Sequence, residues 1–231
     1  MATSTVENYL KQLYLEQRSA EGADMVPMGR LASAMGVVPG TATSMVKALA
    51  DSGLVAYEPR GGVKLTRSGE QLALHVLRRH RLVELFLVKV LGLDWSVVHD
   101  EADALEHAIS DRVLERIDAL LEYPTADPHG DPIPTSKGHL HERPLMSLAD
   151  CPVGVPQQAV RVLDQEPAFL QFIERSGLMP GTTLTVAKRD TAAEAVKIRI
   201  PRREEVTLGM AAAAKILVDA PSRASKSGEP A

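Results

Sequence analysis

The chain has 231 residues, 45% hydrophobic and 24% charged, with 30 acidic against 26 basic side chains and a net charge of −4. That is room for one large domain or two to three small ones, with the composition of a soluble globular protein. The acidic balance excludes nucleic-acid binding through overall charge, so any DNA-binding surface must be a local basic one. Aromatics are 3% of the chain, so the core must be built from Leu, Val, Ala, Met and Ile. A single cysteine, Cys151, excludes an intrachain disulfide framework and fits a reducing cytoplasm. The opening MATSTVENYLKQLYLEQ has neither a basic n-region nor an apolar h-region, so it does not read as a signal peptide. No run approaches the ~18 apolar residues of a membrane helix.

Residues 5–18 read as a helix, with Val6, Leu10, Leu13 and Tyr14 on one face and Thr3 to Thr5 as caps. EGADMVP breaks it. Residues 28–35 form a short helix with Leu31, Ala32 and Met35 inward. GVVPGTAT is a turn leading into a helix over 41–52, with Thr41 or Thr43 near its N-cap and Met45, Val46 and Leu49 on one face. Gly53 stops it. LVAYEP and GVKLTRS, joined by Arg60-Gly61-Gly62, read as a hairpin. Helix, helix, turn, helix, hairpin is the order of a winged helix-turn-helix.

Residues 68–91 form a long helix ending at Gly92. Ser96 caps a helix over about 97–109, and Ser110 and Asp111 cap another over about 112–122. Pro124, Pro128, Gly130, Pro132 and Pro134 then end helical structure and read as a linker. Residues 155–177 read as mixed helix. LTVAKR, AVKIRI and EVTLG alternate with period two, like strands of a small barrel. MAAAAKILV reads as a helical turn with a strand, or a strand alone, and the polar tail as disordered.

A recognition helix meets the major groove with its N-terminal residues, here Gly40, Thr41, Thr43 and Ser44, with Lys47 one turn on. Arg60, Lys64 and Arg67 put positive charge on the wing, where phosphate contact is expected. Few long base-reading side chains are present, which leaves room for readout of DNA shape. The alternative is a helical interaction module with a solvated polar face.

His80 and Glu84 lie four apart on one helix face, and His99, Asp103, Glu106 and His107 are spaced to share one side of the next helix. Facing helices that carry His and carboxylates cage a transition metal in a bundle. The nitrogen and oxygen set, without sulfur, suits Mn(II), Fe(II), Co(II) or Zn(II). The alternative is a set of surface helices carrying ordinary charge pairs.

With ENYLKQLYLE, the helix-turn-helix, RRHRLVELFLVKVLGLDWSVVHDEADALEHAISD and DPHGDPIP, the chain resembles the DtxR/MntR family of iron- and manganese-dependent repressors over nearly its whole length. The resemblance implies a mainly α fold with a small C-terminal β domain. Its parts are a winged helix-turn-helix over 1–72, a helical metal-binding and dimerisation domain over 73–140, a linker over 141–152, an SH3-like (FeoA-type) barrel over 153–220 and a tail over 221–231. It implies an ancillary metal site at His80, Glu84 and His99, and a primary site at Asp103, Glu106 and His107 with Asn8 from the first helix. Gln165 and Glu166 are the nearest C-terminal candidates for the ancillary site. Iron-sensing members usually carry Met and Cys where this chain has Asn8 and Asp103, and manganese-sensing members carry Asp and Glu. Lys11 stands where the manganese type has a Glu supporting a binuclear site. Mn(II) is therefore the first expectation and Fe(II) the second.

The expected function is metal-activated repression of metal-homeostasis genes by a cytoplasmic homodimer on a pseudo-palindromic DNA operator, with no membrane partner. Leu93, Val97, Ala104, Leu105, Ile109, Val113, Ile117 and Leu120 exceed what one domain needs and are the expected dimer face. Without metal, Glu84, Asp103 and Glu106 are expected to repel one another. The rival readings are a metalloenzyme, which H-E-x-x-H, G-x-S-x-G and phosphate-loop motifs do not support, and a metal-handling adaptor.

Overall fold

The computed structural model describes residues 3–19 and 25–219; the tail read as disordered lies outside them, as does most of the EGADMVP break. The chain divides into two compact units. One comprises Met1–Val90, Asp100–Thr125 and Ile133–His141, and the other Leu91–His99, Ala126–Pro132 and Glu142–Ala231.

The first unit opens with α1 (Ser4–Ser19). Thr3 caps it, its Oγ1 accepting from Val6 N at 3.4 Å. Tyr9, Leu10, Leu13 and Tyr14 turn inward. α2 (Met28–Ala34) and α3 (Pro39–Asp51) follow. α3 starts earlier than the Thr41 or Thr43 cap predicted. Val38 is its N-cap and Pro39 occupies the first turn, where a ring-fixed φ suits the helix and the missing N–H costs nothing. β1 (Val55–Glu58) and β2 (Gly62–Leu65) pair antiparallel, with Arg60 near the tip at φ 69°. α4 (Arg67–Lys89) is capped by Thr66, whose Oγ1 accepts from Gly69 N at 3.2 Å.

α4 is roughly 35 Å long and serves two apolar cores. Ala73, Leu74 and Leu77 join the residues of α1, α2, α3 and the hairpin in the first. Leu82 and Leu85 join Leu114, Ile117 and Ile133 in the second. His80 lies between these two stretches, and Arg78, His80, Arg81 and Glu84 are all buried. Buried charges require partners. Arg78 donates to the Pro134 carbonyl at 2.7 Å and to Asp118 Oδ2 at 2.6 Å. That ion pair ties α4 to α6 (Asp111–Leu120), which Ser110 caps through Val113 N.

α5 (Val98–Glu106) stops short of the expected 109. Ala108 N turns back to the Leu105 carbonyl at 2.9 Å, and Ser110 starts the next helix at once. His107 therefore sits just past the helix end and leaves the face shared by Asp103 and Glu106. Ile117, one of the expected dimer residues, belongs to the inner core at 6% exposure. Leu105, Val113 and Leu120 remain exposed.

The second unit is a six-stranded antiparallel sheet in the order β3-β8-β4-β5-β6-β7. Its strands are β3 (Leu145–Ser147), β4 (Pro156–Val162), β5 (Thr183–Asp190), β6 (Ala195–Arg199), β7 (Val206–Gly209) and β8 (Ile216–Asp219). α7 (Pro167–Ser176) follows β4 and α8 (Met210–Ala214) precedes β8. VPQQAVRVLD, read as helical, is β4. Gln157, Ala159 and Val162 are its buried positions, and a register shift between Ala159 and Arg161 breaks the period-two pattern that would have marked it.

The Pro- and Gly-rich stretch is packed, not an open linker: Asp127, His129, Asp131 and Ile133 are buried. Asp127 Oδ1 accepts from His129 N at 2.8 Å and Asp131 N at 2.9 Å, satisfying a backbone with few regular partners.

A methyl group at Gly69 would lie 1.9 Å from the Leu54 carbonyl oxygen. Backbone on both sides leaves nothing flexible to yield. Gly69→Ala is expected to cost about 1–3 kcal/mol, measured as a shift in the denaturant midpoint. A variant as stable as the parent would show that the start of α4 and the α3–β1 turn separate freely.

Candidate metal centre and nucleic-acid interface

α1, α4 and α5 bring one cluster together within the first unit. Glu106 is fully buried. Lys11 Nζ donates to Glu106 Oε1 at 2.9 Å, to Glu106 Oε2 at 3.0 Å and to Asp103 Oδ1 at 2.8 Å. His80 places Nδ1 2.7 Å from Glu106 Oε2 and 3.1 Å from Asp103 Oδ1, and Nε2 3.0 Å from Glu84 Oε1. Burial alone would lower the His80 pKa. Hydrogen bonds to Asp103, Glu106 and Glu84 outweigh it and hold the imidazole well above its ordinary value. Burial likewise pushes Asp103 up, but hydrogen bonds from His80 and Lys11 prevail and hold it well below the usual carboxylate range. Lys11 Nζ and His80 Nδ1, 3.4 Å apart, are then two donors facing the same carboxylates. Glu84, Asp103 and Glu106, expected to repel one another, are thus set around the side chains of Lys11 and His80.

On the other side of Glu106, His107 reaches back to α1. Its Nδ1 donates to Glu7 Oε2 at 2.6 Å, and its Nε2 lies 2.7 Å from Asn8 Oδ1 and 3.3 Å from Glu106 Oε1. Metal–ligand bonds of ~2.1 Å place adjacent ligand atoms about 3 Å apart. Asn8 Oδ1 and Glu106 Oε1 each lie at about that distance from His107 Nε2, and two oxygens with one imidazole nitrogen fit a hard or borderline divalent ion.

Sequence reading missed Glu7, which stands one helical turn before Lys11 on α1. Both are buried. Arg79 stands between Glu7 Oε1 (3.6 Å) and Asp111 Oδ1 (3.1 Å), so the carboxylate that holds His107 is itself anchored toward α6.

His99 falls in the second unit. With Leu163, Asp164, Gln165, Glu166 and Lys215 it lines an open cleft of about 500 Å³. Lys215 Nζ donates to Asp164 Oδ2 at 2.6 Å, which lowers the Asp164 pKa against the opposing effect of burial. Gln165 Nε2 donates to Asp131 Oδ2 at 2.8 Å, and Glu166 is exposed ahead of α7. The DPHG segment holds a further donor that the sequence did not single out. His129 Nε2 donates to the Trp95 carbonyl at 2.9 Å, while its buried Nδ1 has no hydrogen-bond partner. A ring nitrogen left bare by a carbonyl-held N–H is the tautomer of a ligating histidine.

In the helix-turn-helix, Gly40, Thr41, Ser44 and Lys47 are exposed along α3 and Thr43 is half-buried. A methyl at Gly40 would meet nothing within 4 Å, so the fold does not demand the glycine, and the first turn stays low for a close surface. Thr43 Oγ1 donates to the Pro39 carbonyl at 2.8 Å and Ser44 Oγ to the Gly40 carbonyl at 3.0 Å. Both hydroxyls therefore face outward as acceptors. Arg60 and Arg67 are exposed and Lys64 half-buried on the wing.

Partners of a ligating histidine typically contribute 10–100-fold in metal affinity. Glu7→Gln keeps the shape of the side chain and removes the charge that orders His107. Its Mn(II) dissociation constant by calorimetry is expected to rise on the order of 10–100-fold. An unchanged constant would reduce Glu7 to a packing residue.

Three family models match the chain: the iron dependent repressor N-terminal DNA binding domain over residues 1–63, its metal binding and dimerisation domain over 66–135, and the FeoA domain over 146–220. The iron-dependent repressor IdeR of Mycobacterium tuberculosis is 32% identical over 217 residues, covering 88% of this chain and 92% of its own. A solved manganese-dependent transcriptional repressor in complex with manganese is 39% identical at a TM-score of 0.82, covering 93% of this chain and 99% of that one. ScaR with bound Cd2+ follows at 32% identity and a TM-score of 0.73, covering 93% and 98%. Within the described residues no helix is long and apolar enough to cross a membrane. The chain belongs to the iron-dependent repressor family, the DtxR/MntR family of the sequence resemblance: it is a metal-dependent, DNA-binding transcriptional repressor and not an enzyme.

Proposed function

We propose that this repressor responds to Mn(II), with Fe(II) as the alternative, controls metal-homeostasis genes, and binds a pseudo-palindromic operator as a homodimer. The observation that carries the reading is the convergence of Asn8 Oδ1 and Glu106 Oε1 on His107 Nε2, at 2.7 and 3.3 Å. Asn8 lies on α1, which packs on α4 and touches α2 and β2. Glu106 and His107 lie at the end of α5. Asn8, Asp103, Glu106 and His107 are the proposed primary set. When bound, a divalent ion supplies a coordinate link between α1 and the end of α5. The residues set its preference: no sulfur donor is present, and the amide oxygen of Asn8 is a weaker donor than a carboxylate, so geometry and metal availability must favour Mn(II) over ions with higher intrinsic affinity.

His80, Glu84 and His99 are the proposed ancillary set, with Gln165 and Glu166 as contributors. The shared cleft of His99, Gln165 and Glu166 supports that grouping. The exposed Leu105, Val113, Leu120 and Tyr123 support dimerisation through α5 and α6. Gly40, Thr41, Thr43, Ser44 and Lys47 are the proposed groove contacts, and Arg60 and Lys64 the phosphate contacts.

Metal and DNA must strengthen each other's binding by one factor, on the order of 5–150-fold for a typical coupling. Chelator-treated protein, offered a pool of random duplexes at one fixed salt concentration, is expected to enrich a palindromic site only when Mn(II) is restored. His107→Ala should abolish that dependence. Enrichment indifferent to metal would overturn the reading, and greater potency of Fe(II) would reverse the metal assignment. Replacing Gln165 and Glu166 together with Ala should reduce the number of Mn(II) ions bound per chain; an unchanged number removes them from the ancillary set.

A further inference from the structure

We propose that Arg79 is a positioning residue of the metal centre: it spans Glu7 on α1 and Asp111 at the start of α6, and so sets how His107 is presented to the ion from outside the ligand set. The inference rests on the reading of Asn8, Glu106 and His107 as the primary set.

Arg79 uses the two ends of its guanidinium on two different helices. Nη1 lies 3.6 Å from Glu7 Oε1, and Nη2 donates to Asp111 Oδ1 at 3.1 Å. The buried Nε meets no acceptor, so the two terminal nitrogens carry these contacts. A guanidinium is a rigid plane, and its placement against one carboxylate therefore fixes its placement against the other. The arginine stands on α4, which packs on both α1 and α6. One turn earlier on the same helix, His75 Nε2 lies 3.3 Å from Asp111 Oδ1 and meets the outer carboxylate from a second point.

This bracket closes around His107. The free oxygen of Glu7, Oε2, takes the His107 Nδ1 hydrogen at 2.6 Å. Asp111 stands four residues after His107, in the same stretch that leaves α5, caps at Ser110 and opens α6. Arg79 thus grips both the carboxylate that faces the imidazole and the backbone stretch that carries it. The two halves differ in burial. The Glu7 and Arg79 side chains are 11% and 15% exposed, and that of Asp111 is 68% exposed. A buried carboxylate needs its partners, whereas an exposed ion pair contributes little, so the Glu7 half carries the larger share. Without the guanidinium at Oε1, the Glu7 carboxylate is free to turn, and Oε2 is no longer held in line with Nδ1.

The test is a double-mutant cycle on the Mn(II) dissociation constant, by calorimetry on the full-length protein: wild type, Arg79→Met, Glu7→Gln and both together. Arg79→Met should raise the constant on the order of tenfold, and the double variant should be no weaker than Glu7→Gln alone. Arg79→Lys keeps a cation near Glu7 and should restore most of the affinity, which a loss of packing would not predict. Asp111→Asn alters an exposed side chain and carries the test if Arg79→Met does not fold: it should raise the constant about threefold in wild type and not at all beside Glu7→Gln. Effects that simply add in both cycles would overturn the inference, as would a constant that neither substitution moves. If His107→Ala also leaves the constant unchanged, the primary set itself fails; if His107→Ala raises it while Arg79→Met and Asp111→Asn do not, only the role of Arg79 is lost.

Discussion

A carboxylate with no solvent exposure must be compensated, and the first unit is arranged around that requirement at Glu106. An isolated buried charge would cost several kcal/mol. Two segments supply the compensation, Lys11 from α1 and His80 from the middle of α4, while His107, from the turn that ends α5, lies 3.3 Å away on another side. Each approaches from a different direction, so the contacts fix the mutual placement of the elements as well as balancing charge. Apolar packing alone would not do this. The α1 and α4 contacts belong to one core and the α4 and α6 contacts to another, and the polar cluster centred on His80 lies where α4 passes between them.

Much of this was legible in the sequence because it is periodic. The spacing of Leu10, Leu13 and Tyr14 gave α1, and alternating runs gave β5, β6 and β7. The His and carboxylate cluster was visible because its members recur three and four residues apart. What escaped was set by breaks in period or by tertiary partners. α5 ends before His107, so a residue expected to share a helix face instead points at Glu7 and Asn8. β4 carries a register shift that blurs its alternation. Glu7 and Lys11 stand one helical turn apart, and only the position of α5 reveals that both are buried against His107, Asp103 and Glu106. Asp127 looks like a turn residue and is one; its carboxylate caps two amides of a packed segment.

The DNA-binding face follows a different logic from the metal cluster. The hydroxyls of Thr43 and Ser44 spend their protons on carbonyls of their own helix. They are left to accept hydrogen bonds, for which phosphate oxygens are no partner, but amino groups on base edges or bridging waters are. In the proposed interface, phosphate attraction therefore falls to the wing residues Arg60 and Lys64. A chain with a net charge of −4 must draw its attraction for DNA from local basic residues, and its DNA affinity should depend on how they are oriented.

α1 connects that orientation to the metal centre. Glu7, Asn8 and Lys11, in its first half, engage the end of α5. Its second half engages the winged domain: Gln17 Oε1 accepts from Leu65 N at 3.0 Å, Glu16 pairs with Arg30, and Ser19 Oγ accepts from Arg30 at 2.7 Å. Asn8 and Gln17 are nine residues apart, roughly 13 Å along a helix. The helix between them carries no proline or glycine at which to bend. A change in how Asn8 meets His107 must therefore move Gln17 and Arg30 with it, since the rod has no joint. In the proposed primary set, an amide at position 8 therefore matters beyond its strength as a ligand: whatever bond it forms is transmitted, through one stiff element, to the strand and helix that hold Leu65 and Arg30.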